Sequence, residues 1–381
     1  MHICFLSQEF PRTGSVYGGI GTFLSTFSSV LVKGGHKVTV LGISDISEEI
    51  IEEINGVEVI ALPRVKSKFL SWRKNFKVLR ERIKEIHSRH PIDILEGSEL
   101  NFAFLKKIKG IPYVIRLHGG HHFFAEGENR PIQKWKGFQE KRSFAKADAF
   151  IAVSEYVKIH TGKLLSFHGK PVEVINYPVP LAKFYKADPA KAIKGRLVFA
   201  GTVCEKKGIR QLIKALPKVK SIFPEVHLEV YGRDSLYTEN EKYTDFLKRT
   251  CSEKELESVS FHGPVSHDDL PGFYEKGELC VFPSHMETQG LVAPEAMSMA
   301  KPVIFSEKGP GPETIDSGIN GWLCDPFSPD SIADTIIEAL NRRADLPKIG
   351  EAARKKVHEK FKPETITQKN LDFYERLLSK K

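Results

Sequence analysis

Residues 281–323 read VFPSHMETQGLVAPEAMSMAKPVIFSEKGPGPETIDSGINGWL. The apolar run Leu279-Cys280-Val281-Phe282 that opens this stretch predicts a buried strand, turned at Pro283-Ser284. Gly290 marks the start of a short helix over Leu291–Ala300, which tolerates Pro294 because that residue falls in its first turn. A second apolar strand, Pro302–Phe305, follows at once. Strand, loop, helix, strand is the repeating unit of an open α/β sheet, whose ligands sit beyond the carboxyl ends of the strands. Two carboxylates lie there, Glu287 on the loop and Glu295 on the helix, with seven residues between them. Free N–H groups at a helix beginning at Gly290-Leu291 favour an anion such as a diphosphate. Glu295, inside that helix, would repel the anion and is better suited to accept hydrogen bonds from ribose hydroxyls. Glu287 can do the same for a sugar. Taken alone, the spacing also describes two solvated surface glutamates.

Working outward, a chain of 381 residues is too long for one ordinary core and suits two domains. Its 41% hydrophobic and 28% charged residues are those of a globular chain, which excludes disorder. The start, His2 to Ser7, reads as a strand and not as a secretory signal, and nowhere do eighteen apolar residues run together. Five cysteines, odd in number and without a CxxC, argue against a disulfide framework and fit a reducing cytoplasm. A net charge of +9 favours anionic partners: nucleotide diphosphates, anionic lipid or nucleic acid. No stretch resembles a nucleic-acid-binding module, so nucleic acid is not expected. The charge is concentrated: Arg64 to His90 holds ten Lys and Arg against Glu81 and Glu85. There Trp72, Phe76, Leu79, Ile83 and Ile86 recur at helical spacing. Such a helix either packs on the first sheet or docks on an anionic membrane through residues 64–90, peripherally on its inner face.

From the N-terminus, a long loop, Gln8 to Tyr17, leads to Gly18-Gly19-Ile20-Gly21 and an amphipathic helix ending at Lys33. A dinucleotide fingerprint would need its glycines directly after the strand, which weakens the case for a nicotinamide-dependent oxidoreductase. The strand Tyr113–Leu117 runs into His118-Gly119-Gly120-His121-His122, three histidines with no carboxylate or cysteine at ligand spacing. Tyr177 to about Lys194 reads as a linker punctuated by Pro178, Pro180 and Pro189. Beyond it come the strand Arg196–Ala200, the segment Gly201-Thr202-Val203-Cys204-Glu205-Lys206-Lys207-Gly208, the strand Val226–Tyr231 and the strand Val259–Phe261. Ser266 and Asp269 predict a capped helix start.

Pro283-Ser284, Glu287, Gly290, Glu295-Ala296-Met297, Lys301-Pro302-Val303-Ile304 and Asn320-Gly321 together resemble the donor-site signature of the retaining nucleotide-sugar glycosyltransferases of family four. The resemblance runs essentially from Met1 to the last helix and is weakest around residues 44–110. It implies the GT-B fold: two Rossmann-like, doubly wound α/β domains facing across a cleft, with a C-terminal helix crossing back to the first. The expected domains are 1–180 with 366–381, on the acceptor side, and 181–365, on the donor side. It implies transfer of a hexose-type sugar from a nucleoside-diphosphate sugar, such as a UDP-sugar, to a glycan or lipid-linked glycan in polysaccharide or glycoconjugate synthesis. No metal and no other cofactor are expected.

The same resemblance assigns His118 to the donor sugar, Gly18 and Gly19 to phosphate, and the region of Val265 to the nucleotide base. It places Lys207 on the donor diphosphate. The family has an arginine where Thr202 stands, and Arg233, just after a strand, is the candidate replacement. The catalytic set is thus His118, Glu287 and Lys207, and the donor-binding set is Gly18, Gly19, Thr202, Lys207, Arg233, Val265, Gly290, Leu291 and Glu295. No residue reads as a covalent nucleophile. A glycoside hydrolase would use two carboxylates but would not need the glycines and lysine. A non-catalytic sugar-nucleotide binding module stays open because of Thr202.

Overall fold

The computed structural model describes residues 1–11, 18–67 and 70–379. Positions 12–17 of the long loop before Gly18, and Lys68 of the basic segment, lie outside the described residues. Contacts divide the chain into Met1–Pro178 with Pro363–Lys381, and Val179–Lys362.

The first unit follows the order β1 (His2–Leu6), α1 (Gly19–Lys33), β2 (Lys37–Ser44), β3 (Ile50–Ile54), β4 (Val57–Pro63) and α2 (Ser71–Arg89). It continues with β5 (Ile94–Gly97), β6 (Tyr113–Leu117), α3 (His121–Gly127), α4 (Lys134–Lys146), β7 (Ala149–Ala152), α5 (Glu155–Leu164) and β8 (Val172–Val174). The strands form one sheet in the order β3-β4-β2-β1-β5-β6-β7-β8. All pairings are parallel except that of β3 with β4. Strands β1, β5, β6 and β7 are buried along their whole length, which explains why they are largely apolar, with Glu96 of β5 and Arg116 of β6 as buried exceptions. The β3–β4 hairpin was not anticipated. Its turn is Asn55-Gly56, both with positive φ (52° and 79°), a pair of residues that suits the twist of a two-residue hairpin.

Helix α2 buries Leu79, Ile83 and Ile86 and packs against β2. Most cations of its second half are paired with carboxylates. Arg82 bonds Glu49 and Glu85, Arg80 and Lys84 bond Glu81, and Arg89 bonds Glu85. This half of the helix is therefore a packed and neutralised element rather than a free basic face.

The second unit runs β9 (Arg196–Ala200), α6 (Ile209–Lys220), β10 (His227–Tyr231), β11 (Leu236–Thr238), β12 (Glu241–Lys242), α7 (Tyr243–Thr250) and α8 (Glu253–Leu256). It continues β13 (Val259–Gly263), α9 (Leu270–Lys276), β14 (Leu279–Phe282), α10 (Val292–Ser298), β15 (Val303–Ser306), β16 (Trp322–Cys324), α11 (Pro329–Asn341) and α12 (Leu346–Lys360). Its main sheet, β13-β10-β9-β14-β15-β16, is parallel throughout. Apolar clusters cover both faces, one around Leu212, Leu216 and Ile336, the other around Phe184, Tyr274 and Met297.

Two sequence expectations are corrected here. The helix expected over Leu291–Ala300 is shorter, because Ala300 turns left-handed (φ 60°) and ends it. Ser266 and Asp269 do exchange bonds, with Asp269 N–H donating to Ser266 Oγ at 3.2 Å, but they close a turn. The helix α9 begins only at Leu270, with Pro271 in its first turn.

The last helix, α13 (Pro363–Leu378), belongs to the first unit and packs against α1. It completes a buried polar cluster. Arg116, fully buried on β6, donates through Nε to Glu96 Oε1 (2.7 Å) and through Nη2 to Asn370 Oδ1 (2.6 Å). The Tyr374 hydroxyl donates to Glu96 Oε2 at 2.5 Å. The guanidinium also lies 4.6 Å from the Phe23 ring centre. Removing one partner strands a charge out of water, so Glu96→Ala is expected to cost about 3–5 kcal/mol. The pair Glu96→Met with Arg116→Met should cost clearly less in urea denaturation, since no charge is left behind.

Candidate functional site

In the second sheet, β9 has β10 on one side and β14 on the other, so the strand order reverses between β9 and β14. The loops leaving those two strands bound the crevice in which α/β sheets bind ligands. The loop after β9 ends in a 3-10 turn, Glu205–Lys207, closed by Gly208 at φ 69°. A Cβ on residue 208 would sit 1.9 Å from the Pro283 carbonyl oxygen, so only glycine lets the two loops meet. His285 N–H donates to the Lys206 carbonyl at 2.9 Å and sews the loops together. The result is an ion pair between Lys207 Nζ and Glu287 Oε1, both side chains mostly buried. Glu205 anchors the turn from behind. Burial alone would raise its carboxyl, but hydrogen bonds from Arg210, Tyr243 and Gln211 prevail and hold it at about 2.

Thr202 and Arg233 occupy neighbouring tracks. The chain leaving β9 stays alongside the chain leaving β10: Val203 N–H donates to the Arg233 carbonyl (2.9 Å) and Ser235 N–H to the Val203 carbonyl (3.2 Å). Val203 bridges Asp234 in parallel, which sets Thr202 and Arg233 one step earlier on adjacent strands. The approach is close enough that a Cβ at Gly232 would lie 1.7 Å from the Gly201 carbonyl oxygen. The Arg233 side chain is exposed and, among the described residues, has no carboxylate partner.

Glu295 is buried on α10 and its Oε1 accepts from His267 Nε2 at 2.8 Å. His267 Nδ1 faces Lys183 Nζ at 3.3 Å. An ammonium can only donate, so Nδ1 accepts and the ring proton sits on Nε2, directed at the carboxylate. Gly290 has φ 72°, and a Cβ there would meet Phe305 Cζ at 2.6 Å. Leu291 is the residue before α10, and Val265 is half-buried against the apolar cluster around Phe184. The helix start is less open to an anion than expected. Ala293 N–H is used by the Gly290 carbonyl, Glu295 N–H by the Leu291 carbonyl, and Pro294 has none.

In the first unit the sheet reverses between β1 and β5. A cavity of about 230 Å³ opens there, lined by Ser7, Gln8, Glu9, Ser98, Asn101 and His118 among others. His118 Nδ1 lies 2.5 Å from the Tyr177 hydroxyl. Burial, with the Arg116 charge beside it, pushes His118 down to about 3, so it is neutral at ordinary pH. Gly19 is the first residue of α1, and Gly18 N–H donates to Glu9 Oε2 at 3.0 Å. That N–H, expected to face phosphate, is held by a carboxylate instead. The three histidines serve different partners: His121 Nε2 accepts from Gln133 N–H at 2.9 Å, and His122 Nδ1 is held by Glu140.

Sequence reasoning missed two buried acids here. Glu99 Oε1 accepts from Gly119 N–H at 2.8 Å and so fixes the turn that follows His118. Burial raises Glu99 to about 8, against the backbone donors and with help from the Glu140 charge. Glu140 contacts the same turn, since a Cβ at Gly120 would meet its Oε1 at 1.7 Å. The signal was available: Glu96 and Glu99 stand at the carboxyl end of an apolar strand, where side chains reach ligands. His267 carries no local sequence signal, since its partner Glu295 lies 28 residues away.

The family model for glycosyl transferases group 1 matches residues 185–356, and that for glycosyltransferase family 4 matches residues 17–183. An uncharacterised glycosyltransferase of Methanocaldococcus jannaschii is 26% identical over 98% of both chains. Glycogen synthase of Mycobacterium tuberculosis is 24% identical, over 98% of this chain and 94% of that one. The structure of Anabaena HepE in complex with UDP and glucose superposes with a TM-score of 0.77 at 20% identity, covering 99% of this chain and all of that one (100%), a likeness of fold.

Two outcomes are expected from this geometry. Glu99 keeps its proton in the folded chain up to about 8 but loses it near 4.5 when unfolded, so wild-type stability should fall as pH rises between those values. Urea titrations should show Glu99→Gln gaining on the wild type across that window and levelling off above it. Gly208→Ala should lower the melting temperature by several degrees, since a side chain there must displace Pro283. It should also disturb the Lys207–Glu287 pair by displacing the turn that carries Lys207.

Proposed function

Because this chain belongs to the group 1, family 4 glycosyltransferases with the GT-B fold, we propose that it moves a hexose-type sugar, with retention, from a nucleoside-diphosphate sugar to an acceptor hydroxyl. UDP is the favoured nucleotide, and cell-surface polysaccharide or glycoconjugate synthesis the setting. The observation that carries the proposal is the Lys207–Glu287 pair at the point where the second sheet reverses its strand order. A departing nucleoside diphosphate needs positive charge rather than a proton. Lys207 has three N–H donors and spends one on Glu287, leaving donors for phosphate oxygens. Arg233, beside Thr202 and without a carboxylate partner among the described residues, supplies the second cation. Glu287, oriented by Lys207, accepts from a sugar hydroxyl and faces the positive charge that develops on the sugar. Glu295 takes ribose hydroxyls alongside His267. His118 offers the donor sugar its Nε2, since Nδ1 is taken by Tyr177. The scheme needs no metal. The HepE complex with UDP and glucose and the relation to a glycogen synthase support the choice of donor and product class.

Melting temperatures with UDP, GDP, ADP, CMP and NAD, each with and without EDTA, test this reading. One diphosphate at about 100 times its Kd should add roughly 2.7 kcal/mol, and EDTA should not remove the gain. Lys207→Ala and Arg233→Ala should each weaken that nucleotide by about tenfold or more, the value of a hydrogen bond to a charged group. Unchanged affinity in Arg233→Ala alone would exclude it as the replacement for the arginine missing at Thr202. A response to NAD alone would overturn the proposal. Tight nucleotide binding with no hydrolysis and no transfer to any acceptor would convert it to the non-catalytic binding module that Thr202 keeps open.

A further inference from the structure

Two of the three tryptophans of the chain meet on one surface of the first unit. Trp72, in the first turn of α2, packs on Phe104 with ring centres 4.0 Å apart. Trp135 of α4 stacks on the same Phe104 at 5.4 Å, and Phe138 extends the stack from Trp135 at 5.9 Å. A cluster this well packed would ordinarily be covered, yet Trp135 is 49% and Phe138 50% exposed. Singly exposed apolar residues are unremarkable, but a contiguous aromatic patch marks an interaction surface.

The charges around the patch identify the partner. Arg73 and Lys77 on α2, and Lys134, Lys136 and Lys141 on α4, are exposed, and among the described residues none pairs with a carboxylate. This contrasts with the second half of α2, where Arg80, Arg82, Lys84 and Arg89 are all paired with glutamates. A protein partner of mixed charge would not explain a rim of one sign only. Aromatic rings with one apolar face, ringed by unpaired cations, match the interface of a bilayer carrying anionic lipid. No helix among the described residues is long and apolar enough to cross a membrane, so the contact is superficial.

We propose that the face formed by the start of α2, Phe104 and the start of α4 docks on an anionic membrane surface, with Trp135 and Phe138 entering the headgroup region. The expectation of lipid contact along residues 64–90 is thereby relocated: the paired half of α2 takes no part, and α4, outside that segment, carries the inserting rings. Phe104 lies three residues beyond Asn101, which lines the cavity at His118. Docking therefore holds that cavity near the lipid surface, where a lipid-linked acceptor would be found.

Co-sedimentation of the full chain tests the proposal without reference to transferase activity. Vesicles of phosphatidylcholine alone are compared with vesicles of phosphatidylcholine and phosphatidylglycerol, at low and high salt. Binding is expected only to the second, with a blue shift of tryptophan emission. The double variant Trp135→Ala with Phe138→Ala should lose about tenfold or more in partition. Lys134→Gln with Lys136→Gln should lose roughly fivefold per cation, the loss shrinking at high salt. Arg82→Gln with Lys84→Gln should bind as wild type does. An unchanged melting temperature in each variant shows that folding is not the cause. Equal binding to neutral vesicles, no binding to either, or full binding by the Trp135 and Phe138 variant would overturn it. So would self-association that disappears in that variant while vesicles are ignored, since the patch would then be an interface between copies of this chain.

Discussion

The Pro283 carbonyl oxygen lies where the Cβ of any residue but glycine at 208 would have to be. That steric fact brings the loop after β9 against the loop after β14. The bond from His285 N–H to the Lys206 carbonyl then fixes their register. Lys207 and Glu287 are 80 residues apart in sequence and become partners only through this contact. The same device recurs one strand over, where Gly201 and Gly232 let the chains leaving β9 and β10 run side by side. Close backbone approach is thus what converts a scaffold of parallel strands into a site. The Lys207–Glu287 pair is a consequence of it. Substituting the glycines would misplace those charges without touching any of them.

The first unit solves a different problem. Its switch point between β1 and β5 carries ionisable groups that the fold must keep dry: Arg116, Glu96, Glu99 and Glu140 are all nearly inaccessible. Arg116 and Glu96 neutralise each other and borrow Asn370 and Tyr374 from the last helix. The position of α13 is therefore tied to a charge balance as well as to apolar packing by Ile366 and Phe373. Glu99 has no cation partner among the described residues and is relieved by keeping its proton. A protonated acid here and a neutral His118 have a common origin in burial.

Fold class and strand positions were legible because parallel strands covered on both faces are largely apolar, as at Leu279–Phe282 and, apart from Arg116, at Tyr113–Leu117. Lys207 and Glu287 could be named, but their pairing could not, since nothing local in sequence announces a contact made through a glycine. Arg233 was legible as a cation after a strand; that it runs beside Thr202 depended on the backbone ladder continuing past the strand ends. Glu295 was read as free to accept from a ligand, whereas the structure supplies it with His267. The hairpin β3–β4 has a turn signal in Asn55-Gly56, but its edge strand β3 is mostly exposed and lacks the apolar run that marks the other strands.

Helix α2 shows why periodicity alone could not separate packing from docking. Trp72, Phe76, Leu79, Ile83 and Ile86 share one helical stripe, and that stripe changes its role along its length. Leu79, Ile83 and Ile86 meet the sheet, whereas Trp72 and Phe76 meet Phe104. Phe104 comes from the loop after β5 and Trp135 from α4, neither of which is near α2 in sequence. The flanking cations follow the same division: glutamates at 49, 81 and 85 pair with those over the buried stretch. Where the stripe leaves the sheet, the pairing carboxylates stop as well. A helix that merely needed solubility would have no reason to distribute its acids this way, and this asymmetry is what favours the proposed anionic partner over a mere excess of lysine.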